Sequence, residues 1–329
     1  MPRPAPVFSM QVTLVIPLRI DPDRPVSDLD RFVALGLPSL DRCMAEGFVR
    51  ELLVISPEED VAACSRALAG ASRFPIRVIE EARIQPGIAQ DRGWHKQQIL
   101  KLAVAGQVAT TWYITLDADV LCTRRVDEAF LFPDGKAIWQ RERADLHWKW
   151  WTTSQQVLGC GLDLEDGTPM FGVTPALLHG PSVMALTAFL SGKHPEGDWA
   201  RMLLDRKKEV WTEYSLYWTY LLMQGLTGQY YSASPNTPYA RHSVWSKDEL
   251  STLSQAVLDD LFAGNASHAF MVFQSNMEQS LASTVKLLCP YLGNRPGPTL
   301  CEAWTWHRHA WRYRLRKLLR PLRNRLTVQ

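Results

Sequence analysis

The 329-residue chain has no apolar run long enough to span a bilayer. Its most apolar early stretch, Val12 to Leu18, is too short for that and is followed by no small-residue cleavage site, so it reads as a first strand and not a signal peptide. The six cysteines, at 43, 64, 122, 160, 289 and 301, form no C-x-x-C pair. That argues against a zinc site or a disulfide framework and fits reduced, cytoplasmic thiols. A Gly-x-Gly loop is missing near Val12–Arg19, which argues against a triphosphate cradle and so against nucleotidyl transfer. Internal repeats and low-complexity linkers are absent as well. Beyond Glu302 there is no acidic residue, while eight of the 36 lysines and arginines fall there.

What remains is an ordinary globular composition, 46% hydrophobic and 21% charged, ample for a large core. The net charge of +2 joins a mildly acidic body to a strongly basic tail. In the tail Trp311, Leu315, Leu318, Leu322 and Leu326 recur at helical spacing between arginines, with Pro321 ending or kinking the helix. A basic amphipathic helix over 308–325 can lie on an anionic membrane surface, pack on its own domain, or bind a partner protein. Nucleic acid is not an expected partner, because the body is acidic and carries no recognised motif.

Val12–Leu18, Glu51–Ser56, Ile76–Ile79 and Trp112–Leu116 read as strands. Helical stretches lie between them: 27–46, broken near Pro38; 58–69; and 93–105. The alternation predicts a largely parallel sheet with helices packed on it. Thr174-Pro175 reads as a helix start and Gly180-Pro181 as its end, with another helix over 182–190. Thr212 reads as the cap of a helix running to Met223, and 268–275 as a late strand.

The chemistry gathers around "WYITLDADVLCT", residues 112–123. Ligands of open α/β sheets bind beyond the carboxyl ends of strands, and Asp117 and Asp119 stand at such an end. If the chain stays extended there, both point the same way. Two carboxylates that close repel unless a cation lies between them, and hard oxygens of this kind suit Mn²⁺ or Mg²⁺. The plainer alternative is one aspartate capping a helix and the other in water.

Upstream, Trp94, Gln97, Gln98 and Lys101 in "GWHKQQILKL" fall on one helical face, where two amides and a lysine could bind ribose hydroxyls and phosphate or simply face solvent. Lys96 lies off that face. Downstream, in "WTEYSLYWTYL", Glu213, Tyr217 and Tyr220 share a face that would suit a sugar, with Glu213 as a base for an acceptor hydroxyl. Glu213 could equally be a first-turn glutamate favouring the helix dipole. Asp198 is a second carboxylate, or a helix N-cap. In the turn-rich loop "SPNTPYARHSVW", His242 could complete a metal site and Arg241 could close on a diphosphate. His268 and His179 could also serve as that metal ligand, but each borders an apolar stretch and could instead be a satisfied buried histidine; His307 and His309 belong to the tail.

The strand order, "GWHKQQILKL" and the strand ending in D-A-D together resemble a GT-A glycosyltransferase. With "TEYSLYWTYL" they are similar, over roughly residues 10 to 280, to a bacterial glycosyltransferase-like family of largely uncharacterised members. The resemblance implies a GT-A-like (Rossmann-like) α/β fold, with one domain over 1–301 (nucleotide-binding half about 10–125, acceptor half about 126–301) and a basic tail over 302–329. It implies a nucleotide-diphosphate sugar as donor, uridine or guanosine, and a divalent metal held mainly by Asp119. Asp117 would contact the ribose, or the metal through water. Pro17, Leu18 and Arg19 would lie along the base and ribose, and the stretch from Gly93 to Lys101 would border the donor pocket. The acceptor would be a glycan or a lipid-linked molecule of bacterial surface polysaccharide or glycoconjugate synthesis, met at the inner membrane face. Two other readings stay open. "DADVL" also resembles the start of a haloacid-dehalogenase phosphatase with Asp117 as nucleophile, and the chain could bind nucleotide sugars or glycans without turnover.

Overall fold

The computed structural model describes residues 10–20, 26–139, 141–163, 169–172, 174–194, 196–206, 209–239, 243–264, 267–275, 280–292 and 311. Its centre is β1 (Val12–Pro17), in which every residue is buried. Such an apolar, β-branched run suits a strand covered on both faces. β2 (Val49–Ser56) and β3 (Ile76–Glu80) follow on one side, and β4 (Trp112–Thr115) lies on the other. The four run parallel in the order β3-β2-β1-β4, and the Ala176–His179 strand closes the β4 edge antiparallel. The helical segments over 28–43, 58–68 and 94–103 lie in the three crossovers. All four parallel strands therefore end on one side of the molecule.

A smaller sheet starts where the first stops. β5 (Val120–Cys122) pairs antiparallel with the His268–Val272 strand, which in turn pairs with Thr237–Tyr239. It has its own core of Leu121, Val244, Leu258, Met271, Phe273 and Val285. The D-A-D segment is the hinge between the two sheets.

Local expectations changed in three places. The helix from Asp28 to Cys43 does not break at Pro38. A π-helical turn over Phe32–Gly36, in which Leu37 N–H donates to the Phe32 carbonyl, lets the chain continue with the proline at the start of the next segment. Thr174-Pro175, a cis peptide, precedes a strand and not a helix, because Ala176–His179 has β4 to pair with. Gly180-Pro181 opens the Gly180–Lys193 helix instead of ending one, with proline where no N–H is needed. Among the described residues no helix is long and apolar enough to cross a membrane. The basic tail, apart from an exposed Trp311, lies outside the described residues.

Candidate active site

The ladder bond from Leu116 N–H to the Val15 carbonyl, 2.8 Å, is the last on the β4 side. The chain then turns, with Val120 N–H donating to the Asp117 carbonyl at 3.1 Å. The segment is not extended, so the alternation argument for parallel side chains does not hold. The aspartates are held by different elements. Asp117 Oδ1 accepts from Lys101 Nζ at 2.7 Å, and its side chain is 40% exposed. Asp119, almost buried, accepts from Ser275 N–H at 2.9 Å through Oδ2, while its carbonyl accepts from Phe273 N–H. The two carboxyls still feel each other. Burial first, and the charge of Asp117 second, push the Asp119 carboxyl up to about 6, against the opposing pull of Arg31.

This donor set fits a hard divalent cation. Each aspartate has one oxygen anchored by a protein donor named above, and a cation would relieve the repulsion from Asp117 that adds to burial in raising Asp119. Among the described residues no group of three or more His, Cys, Asp or Glu side chains gathers at a metal-sized site. His242 and Arg241, expected as third ligand and diphosphate clamp, lie outside the described residues.

Behind Asp117 the structure builds a buried polar chain. Lys101 is 1% exposed and also contacts Glu213 Oε1 at 3.0 Å and the Tyr214 hydroxyl at 3.4 Å. Burial alone would depress the Lys101 ammonium, but Asp117 and Glu213 outweigh it and raise it well above the ordinary range. Glu213 is fully buried; burial raises its carboxyl and Lys101 pulls it back down. With its amide turned to satisfy both neighbours, Gln98 donates to Glu213 and accepts from Trp94 Nε1 at 3.2 Å. Glu213 opens its helix behind a capping box, in which Thr212 accepts from Ser215 N–H and Ser215 from Thr212 N–H.

Trp94 is the outer end of that chain, 47% exposed, and it borders a cleft of about 260 Å³. The cleft lies beyond the ends of β1, β2 and β3. Pro17, Leu18, Arg19 and Gln97 line it, as does a run of carboxylates that includes Asp28, Glu58, Glu80 and Glu81. Lys96 reaches it too, paired with Glu81 and donating to the Ala89 carbonyl at 2.6 Å. Burial is the main reason the Glu81 carboxyl is raised, and Lys96 opposes it.

The structure thus separates residues that the sequence grouped. Pro17, Leu18, Arg19, Trp94 and Gln97 meet at the cleft, whereas Gln98 and Lys101 point inward to Glu213. Glu213 is sealed from solvent, its carboxylate turned to Lys101 and Gln98 and not to an open face. Tyr217 is equally buried; its hydroxyl accepts from His179 N–H at 3.1 Å and pairs with the Tyr231 hydroxyl at 2.8 Å. Tyr220 is 7% exposed and packs on Phe189. The reason is common to all three. The 213–223 helix is apolar nearly all round and runs through the core, so periodicity defines faces without leaving one open. Asp198 is an N-cap, accepting from Arg201 N–H at 2.9 Å. His179 bonds Ser182 and is buried. Lys96, set aside in the sequence because it lies off the polar face, reaches the cleft as part of the Gly93 to Lys101 stretch expected to border it, whereas Glu81 carries no signal in the sequence and is placed there by the end of β3 beside it.

A family profile matches the chain over residues 9–295. The chain belongs to that family, described as "Family of unknown function (DUF6492)". No curated protein matches it. Among solved structures, the apo form of the WbbM bifunctional glycosyltransferase matches 94% of this DUF6492 chain at 11% identity and TM-score 0.51; the match takes in 52% of WbbM, about half its length. Apo mouse xyloside xylosyltransferase 1 aligns over 83% of this chain and 100% of its own at 15% identity and TM-score 0.47. An active-site mutant of LgtC aligns over 87% and 98% at 13% identity and TM-score 0.46. The likeness at these identities is one of fold: a GT-A-like α/β arrangement with a mainly parallel sheet flanked by helices.

Proposed function

We propose that this DUF6492 protein is a metal-dependent glycosyltransferase that takes its sugar from a nucleotide diphosphate. The observation that carries the reading is the placement of Asp117 and Asp119 just past β4, on the strand next to the one whose end, Pro17 and Leu18, lines the cleft. The nucleoside would occupy the cleft against Trp94 and Gln97. Carboxylates outnumber cations along its walls, and two more stand past β4, so a diphosphate would be repelled unless a cation accompanied it. Asp117 and Asp119 would hold Mn²⁺ or Mg²⁺, which acts when bound as a Lewis acid on the departing diphosphate. The acceptor, a glycan or lipid-linked sugar, would approach from the side of residues 126–301.

A thermal-shift panel of nucleotide-diphosphate sugars, each with Mn²⁺ and with EDTA, tests this. A ligand that binds only the folded state raises the melting temperature. The reading expects at least one uridine or guanosine sugar to do so with Mn²⁺ alone present. A panel that is silent with Mn²⁺ contradicts it.

A further inference from the structure

Lys101 looks in sequence like a phosphate-binding lysine, and the structure gives it no donor to offer. Its ammonium carries three protons. Three acceptors stand around it: Asp117 Oδ1 at 2.7 Å, Glu213 Oε1 at 3.0 Å and the Tyr214 hydroxyl at 3.4 Å. Two of these acceptors, Glu213 and Tyr214, are fixed from behind. Gln98 holds the other Glu213 oxygen. Tyr214 lies 3.1 Å from Thr115 Oγ1 on β4. The first turn of the Glu213 helix is tied by its capping box and by Ser215 to Ser154 at 2.8 Å. Of the three acceptors, Asp117 alone reaches solvent, while Lys101 and Glu213 are 1% and 0% exposed.

We propose that Lys101, anchored by Glu213, is a positioning residue that fixes one oxygen of Asp117 and thereby aims the other at a divalent cation. This rests on the function proposed above. Lys101 and Glu213 carry opposite charges, so together they orient Asp117 while leaving the summed charge of the acidic pair unchanged. Partners behind a metal ligand commonly matter by about 10- to 100-fold in metal affinity.

That cancellation supplies the test. Lys101→Met removes a positive charge and Glu213→Gln a negative one, so the double variant changes orientation while local net charge stays the same. Free Mn²⁺ is counted by electron paramagnetic resonance during titration of the full-length wild type, the double variant and Asp119→Asn. The expected result is a rise in the Mn²⁺ Kd of about tenfold or more in the double variant, at a melting temperature near wild type. An unchanged Kd in the folded double variant overturns the positioning role alone. If the wild type takes up no Mn²⁺ that Asp119→Asn abolishes, the functional reading falls with it. Should the double variant fail to fold, ¹⁵N-lysine NMR of the wild type decides. The ammonium signal of Lys101 must shift when Mg²⁺ is added and stay fixed in Asp119→Asn. A signal indifferent to Mg²⁺ in a protein that binds the ion overturns the proposal.

Discussion

Lys101 Nζ lies 3.0 Å from Glu213 Oε1, and neither side chain reaches solvent. The pair joins residues 112 positions apart in the chain and sits directly behind Asp117. Removing one partner strands a charge in the core, which typically costs about 3–5 kcal/mol. Lys101→Met, which leaves the buried Glu213 without its cation, should therefore lower the unfolding free energy measured in urea by that order, and Lys101→Met/Glu213→Gln should recover most of it. Were Glu213 a solvent-facing carboxylate, Lys101→Met would cost little stability and the second substitution would recover nothing.

Asp119 has a second signature. Its carboxyl is raised to about 6, above the ordinary 3.8, so between those values the folded state binds more protons than the unfolded one. Stability linked to this group therefore falls as pH rises through that window and stays low above it. Asn at 119 can still accept from Ser275 N–H and carries no charge. Metal-free Asp119→Asn should melt a few degrees above wild type at pH 7.5, and the difference should shrink towards pH 4. An equal difference at both values would contradict the assignment.

Thr212→Ala removes the capping box at the start of the Glu213 helix. Loss of such a cap costs about 1 kcal/mol, measurable by chemical denaturation. Because Glu213 is the first residue of that helix, the variant should also weaken Mn²⁺ uptake, whereas capping substitutions at Ser254, on the far smaller core, should not.

Trp94 is the most exposed aromatic at the cleft and caps the polar chain through Gln98. Trp94→Ala should weaken nucleotide binding by about tenfold, about 1.4 kcal/mol, in calorimetric titration. Trp94→Phe should retain part of the stacking surface and fall between.

The parallel sheet was legible because β1, β4 and most of β2 are buried apolar runs and the edge strand β3 is rich in β-branched residues; the expected 12–18, 51–56, 76–79 and 112–116 became 12–17, 49–56, 76–80 and 112–115. The Thr212 cap and the helix to Met223 were legible from local chemistry. Ala176–His179 was not, since its alanine and leucines favour a helix and only pairing with β4 makes it a strand. At the site, the placement of Asp117 and Asp119 followed from the end of an apolar strand. The roles of Lys101 and Glu213 did not, because a lysine enters a core only when distant carboxylates meet it there, and periodicity cannot show partners 16 and 112 residues away.

The central claim is that Asp117 and Asp119 bind a divalent cation that carries the diphosphate of an activated sugar. Isothermal titration of uridine and guanosine diphosphate sugars into the wild type and into Asp117→Asn/Asp119→Asn, each with Mn²⁺ and with EDTA, tests it most directly. The account predicts binding by the wild type with Mn²⁺, and none with EDTA or in the double variant. Equal binding in EDTA, or by the double variant, would contradict it.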